Sequence, residues 1–197
     1  MPFMLNLRKG AGKTLALMLT LVLVACATAT PYQPNLYGQK VSGGYSDRRL
    51  ADDRFRVSFA GNIFTSRDRV EGYLLYRAAE LTDQNGYDWF MLVDHRTESE
   101  RRTYVDRSPR YDPWYGSGYG YWQPHWRYYR GRSWTIWHPH YGHRFWTYDV
   151  DVRTVEKFEA HAEIKMGRGP MPEDGQQVFS ARQVLTDLGP TIERPKS

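Results

Sequence analysis

The alternation between Trp146 and Met166 restricts the fold more than any other stretch of this chain. Trp146, Tyr148, Val150, Val152, Phe158, Ala160, Ala162, Ile164 and Met166 share one parity, and Lys157, Glu159, His161, Glu163 and Lys165 fill the other. Successive strand side chains point to opposite faces, so the pattern predicts a long strand with one face on a core and the other among polar groups. Thr154 and Glu156 interrupt it, which predicts a bend or two strands.

Such a strand needs neighbours, and residues 54–93 supply them. Phe55, Val57 and Phe59 alternate with Arg56 and Ser58 as in a half-buried strand ended by Gly61-Asn62. Val70, Tyr73, Leu74, Ala78 and Leu81 then recur at helical spacing, with Thr65 and Asp68 in the form of a capping box and Asn85-Gly86 as the stop. Tyr87 to Val93 reads as a nearly all-apolar, central strand covered on both faces. Ser99 to Asp106 reads as a polar strand. A short final helix runs from Ser180 to Leu188, capped by Ser180 with Gln183, stapled by Phe179 and Val184, and stopped by Gly189-Pro190. The expected fold is one α+β domain over 54–190, with a β-α-β start, later antiparallel strands and a short C-terminal helix. Residues 191–197 read as a frayed tail.

Residues 111–148 form an aromatic insert rich in Gly, Tyr, Trp and His, with 15 of the chain's 30 aromatic residues and few aliphatic ones. The plain expectation is a low-complexity excursion at one end of the sheet; the equal alternative is a hairpin in which Trp134–Trp137 pairs with Phe145–Tyr148 around His138 to Arg144. As a binding surface, Trp114, Trp122, Trp126, Trp134 and Trp137 would stack on sugar rings or lie at lipid headgroups. As a metal site, His138, His140 and His143 place three imidazoles within six residues, although Pro139 and Gly142 signal an irregular loop. Trp126 to Arg132 also interleaves rings with guanidiniums as single-strand nucleic-acid platforms do, but the chain's export argues against that partner.

Export is written into the N-terminus. Arg8, Lys9 and Lys13 precede an apolar run from Leu15 to Val24, and no acidic residue appears before Cys26. At about 10 residues the run suits a secretory signal and falls short of the roughly 20 that span a bilayer. Leu23-Val24-Ala25-Cys26 resembles the lipobox of bacterial lipoproteins, which implies cleavage between Ala25 and Cys26 and acylation of Cys26 with diacylglycerol and palmitate. Ala27 stands where an aspartate would signal inner-membrane retention, so the resemblance implies the periplasmic face of the outer membrane. Gly10 to Thr14 mimics the end of a P-loop, but Leu7 occupies the required glycine position.

Loss of residues 1–25 would remove three positive charges and lower the formal charge from +5 to +2. What remains mixes both signs, a solvated surface more than a nucleic-acid footprint. Cys26 is the only cysteine, so no intramolecular disulfide forms. Residues 26–53, rich in turn formers, read as a tether with a span of roughly 30 Å if flexible.

No catalytic constellation stands out. Gly116-Ser117-Gly118 lacks the spacing of a nucleophile elbow, and Asp94 and His95, the best acid/base pair, would point to opposite faces of a strand. Ala29 to Pro34, Gly44 to Ser46, Arg56 to Asn62, Tyr73 to Thr82 and Gly86 to Phe90 together resemble a family of small, functionally uncharacterised proteobacterial lipoproteins, and the likeness continues at Ala160 to Gly167 and Ala181 to Leu188. The resemblance implies an exported, lipid-anchored domain and brings no reaction, no catalytic residue and no cofactor beyond the covalent lipid. The expected protein is a non-enzymatic envelope module, membrane-bound through its anchor, with peptidoglycan, other envelope glycans or envelope proteins as partners and no nucleic acid. The rivals are an envelope-modifying enzyme and a His-rich metal-binding lipoprotein.

Overall fold

The computed structural model describes residues 28–93, 116–130, 132–137, 155–172 and 178–196. Within them lie seven strands, β1 (Gly44–Ala51), β2 (Arg54–Asn62), β3 (Trp89–Leu92), β4 (His125–Arg130), β5 (Ser133–Trp137), β6 (Val155–Gly167) and β7 (Val178–Ser180). The helices are α1 (Arg67–Gln84) and α2 (Ala181–Leu188). They form a mixed α+β domain built on one antiparallel sheet.

The long strand is the centre of that sheet. Along one edge β6 pairs with β2 from Asn62↔Lys157 to Arg54↔Lys165. Along the other edge it carries two partners end to end: β4 beside Val155–His161 and β3 beside Ile164–Gly167. Val93 N–H donates to Glu163 O at 2.8 Å in the gap between them. The remaining strands β1, β5 and β7 pair with β2, β4 and β3 respectively. The strand-helix-strand start is therefore a split unit, in which β2 and β3 run parallel with β6 between them. β3 is internal to the sheet as expected, but only Phe90 is buried; Trp89, Met91 and Leu92 are half-buried.

Both helices pack on one face of the sheet, α1 over β2 and β6 and α2 against α1. Val57, Phe59, Phe90, Ala160, Ala162, Ile164 and Met166 meet Leu74, Leu75, Ala78 and Val184 in the core. α1 starts one residue later than Thr65 would set it: Ser66 is the N-cap and accepts from Arg69 N at 3.2 Å. Thr65 is instead buried, its hydroxyl accepting from Thr30 N at 2.8 Å. Ser180 caps α2 as its sequence predicts, accepting from Gln183 N.

Two expectations are overturned. Residues 28–53 are not a loose tether but a strap followed by an edge strand, and the reason is local. Gly43 and Gly44 take positive φ values of 98° and 134°, and a Cβ on them would lie 2.3 Å from Ala60 O and 2.2 Å from Gln33 O. Only glycine lets the strap lie so close to β1 and β2. Gln33 Nε2 donates to Val41 O and Gly43 O, and the buried Tyr32 ring packs against Tyr45, Tyr73 and Tyr76. Arg77 in α1 ties the assembly together, pairing with Asp47 of β1 and with Glu80, which accepts from Tyr32 OH at 2.6 Å. The tail is likewise held: Ile192 is buried, Tyr32 N donates to Glu193 O, and Glu193 N donates to Tyr73 OH.

Candidate interaction surface

The aromatic insert divides between the inside of the protein and its surface. Trp122 and Trp126, expected on a binding surface, are core residues with 0% and 1% exposure. Each indole donates to the same residue of α1: Trp122 Nε1 to Glu71 O and Trp126 Nε1 to Glu71 Oε1, both at 3.1 Å. Glu71 is fully buried and pairs with Arg67 at 3.0 Å. The register explains how a Trp from the insert reaches the core. Phe59, Ala160 and Trp126 lie in one row across β2, β6 and β4, so the small alanine leaves room that the two large rings fill. Tyr119 is also buried, and its hydroxyl donates to Asp187 Oδ2 of α2 at 2.6 Å. The insert is thus structural over this part, not an excursion. Its hairpin is β4 with β5, and Trp137 stands opposite Trp126 in that ladder.

The sheet's second face carries the polar parity of β6 and its row partners. Arg54 and Arg56 of β2 both reach Glu163, and Arg127 of β4 donates to Glu159 at 2.9 Å. His161 stacks on His125 with ring centroids 5.4 Å apart. Burial, then the proximity of His125, Arg56 and Arg127, lowers the His161 pKa to about 4. With Lys157 and Lys165 included, cations outnumber carboxylates on this face.

At one end of the face the chemistry becomes aromatic. Asn62, Lys157, Tyr129 and Trp134 form a continuous row across β2, β6, β4 and β5. Lys157 Nζ lies 5.0 Å from the Tyr129 ring centre and 5.7 Å from that of Trp134, and the Arg127 guanidinium lies 4.3 Å from the Trp134 ring. Cations over ring faces are attracted by the ring quadrupole. Trp134 keeps 38% of its surface exposed and Ile136 74%. Just past Asn62, Ile63 and Phe64 add exposures of 44% and 49%. These two lie outside the insert, and their signal in the sequence is a pair of large apolar residues placed in a turn.

Of the aromatic residues expected on a surface, Trp134 is there. Trp114, the side chain of Trp137, the triad His138, His140 and His143, the pair Asp94 and His95, the strand expected over 99–106, and Ala25 and Cys26 lie outside the described residues. Among the described residues no three His, Cys, Asp or Glu side chains converge as a metal site, and no helix is long and apolar enough to cross a membrane. Comparison of the chain with protein-family models, with curated proteins and with solved structures yields no match.

Proposed function

We propose that this protein is a lipid-anchored lipoprotein of the outer membrane, facing the periplasm, that acts as a non-enzymatic binding or structural module of the cell envelope. The observation that carries the reading is Leu23-Val24-Ala25-Cys26 at the end of a basic, then apolar, leader. The cluster of Trp134 and Tyr129 with Arg127 and Lys157 supports a binding role, since rings with polar tips and paired cations suit wet, carbohydrate-bearing or lipid-bearing surfaces. Its partners are then the membrane and, beyond it, peptidoglycan, another envelope glycan or an envelope protein.

Palmitate labelling and fractionation of cells producing the wild type and Cys26→Ser test the anchor. Label on the wild type alone, with Cys26→Ser lost from outer membranes, is the expected result; equal membrane retention of both forms would sink it. Incubation with isolated cell wall tests the module. Sedimentation with the wall without release of soluble fragments is expected, and catalytic release of fragments would make the protein an enzyme instead.

A further inference from the structure

We infer that the end of the sheet formed by the β2–α1 turn and the β4–β5 hairpin is a membrane-facing rim, which sets the domain's orientation on an anionic bilayer. The inference rests on the lipid anchor proposed above and adds what that anchor alone leaves open, namely which surface meets the lipid.

Chain length supplies the first argument. Asn62 Nδ2 donates to Thr28 O at 2.8 Å, Thr30 Oγ1 accepts from Asn62 N at 3.0 Å, and Thr30 N donates to Thr65. The strap therefore joins the body at the β2–α1 turn. Two peptide units separate Cys26 from Thr28, so their Cα atoms are at most about 7.6 Å apart. An acyl-bearing Cys26 is thus confined beside the turn that presents Ile63 and Phe64. A free tether would have left the distance between anchor and body open; this strap holds the β2–α1 turn within a few residues of Cys26.

The chemistry along the same edge supplies the second. From Asn62 the row continues through Lys157 and Tyr129 to Trp134, three strand spacings or about 14 Å away. The hairpin beyond it turns through the exposed Arg132, whose φ of 95° marks a tight reversal. Two exposed aliphatic and aromatic side chains at one end, and Trp and Tyr rings covered by Lys and Arg at the other, match the layers of a bilayer interface. Apolar groups enter the acyl boundary, amphipathic rings sit at headgroup depth, and cations meet lipid phosphates. The opposite end, where α1 stops at the exposed Gln84 after 18 residues or about 27 Å, exposes Leu50 and Met171 and sets Arg168 over the Tyr87 ring. It lies far from the point where the strap joins the body, so the anchor selects the β2–α1 end.

Nitroxide depth measurements on the full chain in phosphatidylethanolamine/phosphatidylglycerol vesicles test the inference. Labels are placed singly at Phe64→Cys, Trp134→Cys and Gln84→Cys, the native thiol being blocked by its lipid, and the mass of the N-terminal peptide reports acylation separately. The expected result is at least a five-fold protection from a water-soluble relaxer at positions 64 and 134 relative to 84. An acylated chain with all three positions equally accessible overturns the rim and leaves the anchor standing. For a chain found unacylated, flotation with the same vesicles decides: binding abolished by Phe64→Asp upholds the rim and removes the anchor, and absence of flotation overturns both. Wall sedimentation lost in Phe64→Asp, with no flotation, overturns the rim in favour of a glycan site.

Discussion

Trp126 Nε1 donates to Glu71 Oε1 at 3.1 Å with both side chains almost wholly enclosed. The bond joins the aromatic segment to the central helix, and it satisfies a carboxylate that burial would otherwise destabilise. Trp126→Phe keeps most of the ring volume and removes the donor. Leaving the carboxylate one partner short should cost about 1–3 kcal/mol, read as a lower urea midpoint with an unchanged slope. Trp122→Ala empties a fully buried site and should cost about 3–5 kcal/mol. An unchanged midpoint in both variants would mean the segment is peripheral after all.

The stability of the domain should fall in mild acid because of His161. Its folded pKa of about 4 lies below the ordinary imidazole value of 6.5, so its contribution is present above pH 6.5 and is lost as the pH falls toward 4. In that window the unfolded chain binds a proton that the native imidazole refuses. Partial exposure discounts the effect to on the order of 1–2 kcal/mol. The groups around it are His125, Arg56 and Arg127, with Glu159 and Glu163 flanking it on its own strand. His161→Gln should flatten the pH 4 to 6.5 limb of the stability profile relative to wild type, and an identical limb in the two proteins would assign the acid sensitivity elsewhere.

Removing residues 192–197 should weaken the whole fold and not just the tail. Ile192 leaves the core, and the bonds of Glu193 to Tyr32 N and Tyr73 OH are lost. The expected loss is about 2–4 kcal/mol. Hydrogen exchange should then also speed up at Tyr32, far away in sequence; protection there equal to wild type would show the strap to be independent of the tail.

Gly167 has a different vulnerability. Its φ is ordinary for a strand, but a Cβ would lie 2.0 Å from the Trp89 ring, which covers it across the β3–β6 ladder. Gly167→Ala must displace the indole, at a cost of about 1–3 kcal/mol. The Trp89→Ala, Gly167→Ala double variant should lose less than the sum of the singles in thermal unfolding, whereas strict additivity would exclude the clash.

The strands and helices with strict periodicity were legible from residue order alone: β2, β6 and α1 each place apolar side chains on one face, and α2 announces itself through Ser180. β1 was not, because seven of its eight residues keep at least part of their surface accessible and show no alternation. It is an edge strand held by backbone bonds to β2. The strap was hidden for a related reason. Its buried residues include Thr30 and Gln33, whose burial depends on hydrogen bonds to distant carbonyls and hydroxyls that no local pattern encodes. In the insert, abundant glycine and tyrosine concealed that Trp122 and Trp126 serve as the large residues of a core whose central strand supplies alanines. The exposed row ending at Trp134 was half visible, since its aromatic members Tyr129 and Trp134 stand out in sequence while Lys157 and Asn62 join them only through register.

The hydrogen bond from Tyr32 N to Glu193 O has a consequence for how the protein is made. In a chain exported as proposed above, N-terminus first, the strap would emerge well before residue 193, and β2 would also wait for a partner about 100 residues downstream. The β1–β2 hairpin is local, but the pairing of β2 with β6 and of the strap with the tail would have to wait for those later residues. Such vectorial emergence would leave the early segment without its final contacts until residue 193 had crossed, which favours late completion of the core over stepwise assembly.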